Sequence, residues 1–482
     1  MNRIAPLLMF ALVWISAAWF GSWHWNPNSA VRVFAAISLV EERDATIDQF
    51  EHLTIDKARF GPHFYLDKPP GITLLAVPLV ALTNSITGDR STGKVLTTQD
   101  KAFDHYIKLR QWVAAAFINA TLLALAAVAL MDIGRRVTGS VAAGAFAGLA
   151  FALGTPLWGW ATTLFGHAAV ASLLVIAVHF VLKGTSADRG RADALMAGGS
   201  LGLALLIEHS ALLFAVPVGC WTLWRMRVLS PADAIRAAAD ATIAAAAALL
   251  PLLVYNMIAF GEPFRLGYEG VVGWEGMEQG LFGLTYPHLT VLGEILWGTR
   301  RGILWAAPVL IAAAPGLVAA WRGGARDVAL LALTGAVGAF LYNASYVYWD
   351  GGNTTGPRHA MPAVAFLSLM LPFVWASAGQ VARAMLACLL AASVAINMTI
   401  ASAEITAPWS AQNALVDGVW RARFAPGYLR TIANEWFGLN PWMGLVIWAI
   451  VALLTLAGLL VAIARQSRDA NIYRTYGAAR CS

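Results

Sequence analysis

Residues 32–71 read RVFAAISLVEERDATIDQFEHLTIDKARFGPHFYLDKPPG, a segment with many charges of both signs between long apolar blocks. Because charged side chains and irregular backbone are unfavourable in hydrocarbon, such a segment cannot lie inside a bilayer. We expect it at or above the membrane surface, where chemistry in water is possible. Nearly everything that follows it is apolar, so the rest of the chain is organised around this polar segment.

The composition of the 482-residue chain is that of a protein with many membrane-spanning helices. Hydrophobic residues make up 59% and charged residues 12%, and the mean hydropathy is +0.64. A soluble protein would carry about twice that fraction of charge. The net charge of +6 comes mostly from short loops, which indicates membrane topology rather than nucleic-acid binding. Three scattered cysteines, Cys220, Cys388 and Cys481, indicate neither a disulfide framework nor a metal cluster.

The sequence predicts an all-α polytopic membrane protein, with a single domain of about 12 transmembrane helices over residues 1–482. Arg3 precedes the first apolar run and places the N-terminus in the cytoplasm by the positive-inside rule. Segment 23–110 then forms a large first extracytoplasmic loop with juxtamembrane helices, and segment 403–441 forms a late one. After a first span that ends near Phe20, we expect spans at residues 111–131, 138–154, 167–182, 194–208, 210–224, 237–260, 302–321, 327–347, 360–377, 382–402 and 442–464.

The apolar segment Gly71–Ile86 is expected to stay on the outer side of the membrane. It is shorter than the about 20 residues that a span needs. If it crossed, every later basic loop would face the wrong side. We therefore predict a juxtamembrane or re-entrant helix there, started by Pro69-Pro70 and capped by Asp67.

The run 194–224 is apolar but contains Glu208-His209-Ser210 in its middle. Two spans would each be short, so a hairpin whose polar tip reaches a water-filled cavity fits this pattern. A carboxylate within an apolar run is unfavourable and usually functional. Glu208 is therefore either a functional group or a buried partner for a basic side chain, and both interpretations stay open.

Two short motifs on the predicted outer side could bind a phosphate. Lys68 lies beside a predicted helix N-terminus, which favours anions, although a lysine that reaches the membrane interface fits equally well. Residues 349–359 read WDGGNTTGPRH, where glycines permit close backbone approach and Arg358 could hold a phosphate with two hydrogen bonds. The alternative is a tight turn with an interfacial arginine.

Other polar and aromatic residues on the predicted outer side have two interpretations each. His167 could contact a sugar or phosphate, or be a plain interfacial histidine. Arg300-Arg301 would lie outside against the positive-inside rule, which indicates an anionic partner or a displaced loop. Segment 403–441, which contains Trp409 among its tryptophans, could lie flat over the membrane and cover an acceptor site.

Together these motifs resemble the GT-C glycosyltransferases of the protein O-mannosyltransferase and lipid A aminoarabinose-transferase type, which carry a Lys-Pro-Pro-like motif in the first outer loop. A closer resemblance is to bacterial family 39-like glycosyltransferases. Each motif is weak alone, but the ordered set is fairly specific and covers most of the chain. The set comprises Arg32, Leu39-Val40-Glu41, Ile47-Asp48, Asp56-Lys57-Ala58, Tyr65-Leu66-Asp67-Lys68-Pro69-Pro70-Gly71, Leu164-Phe165-Gly166-His167, Tyr255-Asn256, Phe260-Gly261-Glu262-Pro263-Phe264, Arg301-Gly302 and Gly356-Pro357-Arg358.

The resemblance implies a function in a bacterial inner membrane. A sugar would pass from a polyprenyl-phosphate donor to an extracytoplasmic glycan, lipid or protein acceptor, with inversion at the sugar carbon. Lys68 and Arg358 would bind the donor phosphate among the membrane lipids. A divalent metal ion is left open, because some GT-C members use one and others do not. Further candidates for the substrate site are Arg32, Asp56, Tyr65, Asp67, His167, Glu208, Asp350 and His359.

The general base is the point at which this chain departs from the resemblance. The mannosyltransferase-type enzymes carry an acidic pair just ahead of the helix that bears the arginine, whereas residues 26–30 here read NPNSA. Asp48 and Glu41 are favoured as catalytic residues, since a helix from Ala30 would bring Glu41 to the side of Arg32. Each could instead be a solvated loop charge. The full set of candidate bases is Glu41, Glu42, Asp44, Asp48 and Asp56.

Two other classes of function compete with the transferase. A transporter or flippase for a lipid-linked glycan would use Glu208 as a coupling site. The large charged first loop and the lack of inverted repeats in the sequence count against it. A non-catalytic glycan-binding or assembly protein would predict that no single carboxylate is essential.

Overall fold

The computed structural model describes residues 4–21, 25–352, 354–408 and 410–479, so Arg3, Trp409 and Cys481 lie outside the described residues. The described chain is predominantly helical, which confirms the predicted fold class. Its α-helices are α1 Ile4–Trp19, α2 Pro27–Glu41, α3 Gly71–Thr87, α4 Lys101–Phe117, α5 Asn119–Thr138, α6 Val141–Leu153, α7 Leu157–Ala161, α8 Gly166–Gly184, α9 Arg191–Ile207, α10 Ala211–Arg225, α11 Pro231–Phe260, α12 Leu289–Trp297, α13 Ile303–Ala306, α14 Ala313–Arg322, α15 Arg326–Ser345, α16 Met361–Ser368, α17 Leu371–Ser377, α18 Gln380–Ala403, α19 Ile432–Phe437 and α20 Pro441–Ala479.

Among the described residues, 7 helical segments are long and apolar enough to cross a membrane. Shorter apolar helices accompany them, including α1 and α3 before the first segment and α6 after it. The chain is therefore a multi-pass membrane protein, whereas the total of about twelve spans stays a prediction. The seven long segments are Lys101–Thr138, Gly166–Gly184, Pro231–Phe260, Arg326–Ser345, Arg358–Ser377, Gln380–Ala403 and Pro441–Gln466.

The first loop contains a helix, a 3₁₀ turn and a small hairpin. Asn26 accepts a hydrogen bond from the Asn28 amide and Pro27 starts α2, which therefore begins three residues earlier than the Ala30 start considered above. After the 3₁₀ turn Asp48–Leu53, strands β1 Ala58–Phe60 and β2 His63–Tyr65 pair antiparallel. This arrangement folds the polar segment back over the start of α2.

The helix α3 begins at Gly71, as the prolines predicted, and ends at Thr87, where Gly88 follows as the cap with a left-handed backbone (φ 66°). The predicted cap is wrong, since no side chain caps α3 and the Asp67 carboxylate instead binds Lys68. The N-cap residue is Pro70, three residues after Asp67, and the Asp67 Oδ1 atom has no described hydrogen-bond partner. At 17 residues α3 is short for a span, and its outer location stays a prediction.

The predicted polar break within residues 194–224 is confirmed. Helix α9 ends at Ile207 and α10 begins at Ala211, with Glu208 between them. A Cβ atom added to Gly71 would lie 2.6 Å from the Leu206 carbonyl oxygen, so the start of α3 touches the end of α9 backbone to backbone. This contact requires glycine, and it brings the residues before Gly71 close to Glu208.

A second polar segment, residues 261–301, docks onto the first loop. Gly261 ends α11 with a left-handed backbone (φ 72°). Val271 then pairs with Ala58 at the edge of β1, and the Val272 amide donates to the Lys57 carbonyl oxygen at 3.1 Å. The two segments thus border a common space at the ends of the helices.

Segment 403–441 contains the π-helix Ala414–Phe424 and the helix α19. Thr431 caps α19, with its hydroxyl accepting from the Asn434 amide. Trp420 and Trp442 are each about half exposed, as aromatic side chains at a membrane interface often are. Its predicted position over an acceptor site stays a prediction.

Candidate active site

A cavity of about 610 Å³ lies between the first loop, the α9–α10 tip, the segment 268–277 and the glycine-rich turn after α15. Its size is within the range of about 300–1,000 Å³ that is usual for small-molecule sites. Most of the candidates named from the sequence line it. They are Asp56, Asp67, Lys68, His167, Glu208, Asp350, Arg358 and His359.

Lys68 is held at the cavity by two carboxylates. Its Nζ atom lies 3.2 Å from Asp56 Oδ2 and also donates to Asp67 Oδ2. Burial opposes the charge of Lys68, but Asp56 and Asp67 outweigh it, so the pKa of Lys68 rises above its ordinary value. Burial raises the pKa of Asp67, an effect that Lys68 partly offsets. Lys68 is therefore a fixed positive charge with acidic neighbours.

Arg358 is a cation of the cavity that lacks a protein anion. Among the described residues, no side chain forms a hydrogen bond or ion pair with it, and its Nε atom is buried without a partner. Its guanidinium carbon lies 5.3 Å from the centre of the Phe165 ring, which gives weak cation–π attraction. A partly buried, unpaired charge is unfavourable, so this geometry calls for an anionic ligand.

Glu208 and Arg32 form a buried ion pair beside the cavity. The Arg32 Nη2 atom donates to Glu208 Oε1 at 2.8 Å, and the two residues are 0% and 9% exposed. A Cβ atom on Gly166 would lie 2.3 Å from Glu208 Oε1, so the start of α8 packs directly on the carboxylate. Glu208 is thus a partner for a basic side chain and also lines the cavity.

Two histidines, His167 and His359, lie close together in the lining of the cavity. The rings of His167 and His359 are 5.4 Å apart at nearly a right angle, and Tyr346 lies 4.8 Å from His359. The His359 Nε2 atom is buried with no described hydrogen-bond partner. These rings offer polar atoms that a bound molecule could use.

The structure does not bring Asp48 or Glu41 to the cavity. Asp48 accepts from the Phe64 amide at 2.7 Å and binds His63 at 2.6 Å, with its side chain 40% exposed. Glu41 is saturated by donors from α3, α4 and the turn between them. Both carboxylates therefore fix the first loop, and their placement counts against a role as base.

Tyr65 also lies outside the lining of the cavity. It is 9% exposed, and its ring packs 5.4 Å from the Phe260 ring. Asp350 does line the cavity, where its Oδ1 atom accepts from the Gly352 amide at 3.1 Å and its Oδ2 atom has no described partner. Among the described residues that line the cavity, Asp56 is thus the one base candidate named from the sequence.

Sequence reasoning missed an aromatic wall of the cavity. Tyr342 and Tyr346 are one turn apart at the end of α15, which was a signal in the sequence that an interfacial belt also explains. Asn26 and Asn28 line the cavity as well, at the position where the acidic pair of the mannosyltransferase-type enzymes was expected. The aromatic wall consists of Tyr268, Trp274, Tyr342, Tyr346, Tyr348 and Trp349.

The sequence leaves open whether the site binds a divalent metal ion. The arrangement of possible ligand side chains shows how well such an ion would fit. Among the residues that the structure describes, no group of three or more His, Cys, Asp or Glu side chains is arranged to hold a metal ion. The carboxylates nearest the phosphate candidates, Asp56 and Asp67, are engaged with Lys68. We therefore assign no residue of this chain to a metal.

No protein-family model matches the chain, and no curated protein matches it in sequence. The fold does match solved structures. The crystal structure of ArnT from Cupriavidus metallidurans bound to undecaprenyl phosphate is 16% identical, with a TM-score of 0.51, and the match covers 96% of this chain and 73% of that one.

Two further structures match with lower TM-scores. The S. cerevisiae protein O-mannosyltransferase Pmt1–Pmt2 complex bound to the sugar donor is 13% identical over 59% of this chain and 38% of that one, with a TM-score of 0.35. The Archaeoglobus fulgidus oligosaccharyltransferase complex with zinc and sulfate is 16% identical over 86% of this chain and 52% of that one, with a TM-score of 0.40. The match to ArnT shows that this chain shares the fold of that structure, the GT-C fold that its motifs predicted.

Proposed function

We propose that this chain is a membrane glycosyltransferase that moves a sugar from a polyprenyl-phosphate donor to an acceptor hydroxyl. The observation that carries the proposal is Arg358, a partly buried cation that has no anionic partner among the described residues and lies in a cavity that Lys68 also lines. A phosphate group supplies the missing negative charge and can accept two hydrogen bonds from one guanidinium. The GT-C fold supports the same class of reaction.

The reaction is a single displacement at the anomeric carbon of the donor sugar. Asp56 takes the proton of the acceptor hydroxyl as its oxygen attacks that carbon. The bond between the carbon and the phosphate oxygen breaks, which inverts the carbon and leaves polyprenyl phosphate. Lys68 and Arg358 stabilise the negative charge that builds on the leaving phosphate.

Asp56 is the best-placed base among the carboxylates of the first loop. It is 7% exposed, lines the cavity and lies 3.2 Å from Lys68. The ion pair keeps it near the phosphate that Lys68 would bind, so the acceptor hydroxyl and the donor would meet beside it. The asparagines at 26 and 28 cannot take a proton at neutral pH, so the base of this chain must come from elsewhere.

The proposed phosphate site and the ligand of the ArnT structure both favour a lipid-phosphate donor. ArnT was crystallised with undecaprenyl phosphate, and a lipid carrier would suit a site at the membrane surface. Purified protein in detergent is expected to bind undecaprenyl phosphate and not undecaprenol, which lacks the phosphate. Fluorescence titration of both lipids checks this, and equal binding of the two would contradict a phosphate site.

We further propose that the cavity faces the outside of a bacterial inner membrane, where glycan, lipid or protein acceptors are found. The basic loops then face the cytoplasm. In a variant with its three native cysteines replaced by serine, Thr92→Cys is expected to react with an impermeant thiol reagent in spheroplasts. Ala187→Cys is expected to react only after the membrane is opened. Both positions are exposed in the structure, so the opposite pattern would contradict this orientation.

A further inference from the structure

Arg301 is a buried arginine that, among the described residues, binds only backbone carbonyl groups. It lies between α12 and α13 and is 1% exposed. Its Nε and Nη2 atoms donate to the carbonyl oxygens of Asp350 at 2.9 Å and Gly352 at 2.6 Å. Among the described residues, no carboxylate lies within ion-pair distance of it. Burial lowers the pKa of Arg301 to about 10, so it keeps its charge at neutral pH.

The two carbonyls belong to the turn Trp349–Gly352. Gly351 and Gly352 both have positive φ angles, 66° and 70°, which glycine adopts without strain. Asn343, which is fully buried, donates from Nδ2 to the Trp349 carbonyl oxygen at 2.8 Å. The turn is therefore held by Arg301 on one side and Asn343 on the other.

The turn, held in this position, contacts the Arg358 side chain. A Cβ atom added to Gly351 would lie 2.7 Å from Arg358 Cγ and 2.9 Å from its Nε atom. The backbone of the turn thus packs along the Arg358 side chain and limits the rotamers that are open to it. Since Arg358 has no described hydrogen-bond partner of its own, this packing and the Phe165 ring are what direct its guanidinium.

We propose that Arg301 is a positioning residue that fixes the turn Trp349–Gly352 and through it aims Arg358 at the phosphate of the lipid carrier. This inference rests on the proposed function. The planar guanidinium reaches two carbonyls of the turn at once, which the single ammonium of a lysine cannot do with the same geometry. Arg301, whose predicted location violates the positive-inside rule, thus has its partners within the protein.

The test is a double-mutant cycle on undecaprenyl phosphate binding. Arg301→Gln is expected to weaken binding about tenfold, a free-energy change of about 1.4 kcal/mol. Arg301→Lys keeps the charge and one hydrogen bond, so its affinity is expected between those of Arg301→Gln and the wild type. If Arg301 acts through Arg358, the double variant Arg301→Gln/Arg358→Gln binds no more weakly than Arg358→Gln alone.

The controls separate positioning from folding and from the proposed function. Arg421→Gln removes an exposed arginine that pairs with Asp417 and is expected to leave binding unchanged. Asn343→Leu removes the hydrogen bond that holds the same turn from its other side. It is expected to weaken binding of undecaprenyl phosphate, but not to weaken it further in the Arg358→Gln background. This variant keeps the inference testable if Arg301→Gln fails to fold. Additive losses, or wild-type affinity in folded Arg301→Gln, would overturn the inference. A wild type that does not bind undecaprenyl phosphate would instead overturn the proposed function.

Discussion

Replacement of Asp56 by asparagine is expected to lower the turnover number by about 10²-fold or more, because the amide keeps the shape of the side chain but cannot accept the proton of the acceptor. Binding of undecaprenyl phosphate is expected to remain, since Lys68 keeps Asp67 as a partner and Arg358 is untouched. Single-turnover assays with purified protein, run beside carrier titrations, measure the two quantities separately.

The matched controls are Asp48→Asn and Glu41→Gln, the two bases that the sequence favoured. Asp48 is expected to tolerate the change with near-normal turnover, because its carboxylate binds His63 and the Phe64 amide away from the cavity. Glu41→Gln is expected to lower the stability of the folded protein, because Glu41 accepts hydrogen bonds that hold the first loop. Normal turnover in Asp56→Asn, or a loss confined to a folded Asp48→Asn protein, would show that the base is not Asp56.

Loss of Arg358 is expected to weaken binding of the carrier by about 1.5–3 kcal/mol, the usual scale for a hydrogen bond to a charged group. Arg358→Gln tests this directly in lipid titrations. Arg358→Lys is expected to recover little of the loss, because a bidentate grip needs the planar fork. Lys68→Gln is expected to have a smaller effect, since Lys68 also holds Asp56 and Asp67.

The two cations should also couple, because they act on one phosphate. The double variant Lys68→Gln/Arg358→Gln is therefore expected to lose less affinity than the sum of the single losses. Arg265, which is partly exposed and pairs with Glu262, offers a control, and Arg265→Gln is expected to leave affinity unchanged. Strict additivity, or wild-type affinity in Arg358→Gln, would mean that these residues are ordinary interfacial cations.

The sequence predicted the features that depend on local chemistry. Prolines before Gly71 located the start of α3, and Glu208 in an apolar run located the break between α9 and α10. Both succeed for the same reason, since a helix break or a charge within an apolar run has few structural solutions. Lys68 and Arg358 were paired from motifs nearly three hundred residues apart, and both line one cavity.

What the sequence could not give are the contacts set by tertiary packing. Glu41 was placed correctly near the end of α2, but its donors come from residues 43 to 65 positions away. Asp48 turns toward His63 because β1 and β2 fold back as a hairpin. The predicted cap at Asp67 failed because α3 starts after Pro70, three residues beyond the Asp67 carboxylate, which binds Lys68.

Arg301 shows the same limit from the other direction. Its charge was conspicuous in the sequence, yet its partners are backbone carbonyls of a turn about fifty residues away. Backbone groups carry no signal of their own in the sequence, so no motif could have named them. The aromatic wall was hidden for a related reason, since tyrosines and tryptophans near span ends are equally typical of a membrane interface.

The most direct test is a transfer assay with purified wild-type protein and a panel of sugars linked to undecaprenyl phosphate. Release of free undecaprenyl phosphate from at least one donor is expected when a membrane extract supplies acceptors, and Asp56→Asn protein should release it at least about 10²-fold more slowly. Lipid chromatography with mass detection measures the product. Binding of the carrier without release from any donor of the panel, under conditions in which the protein stays folded, would contradict a glycosyltransferase.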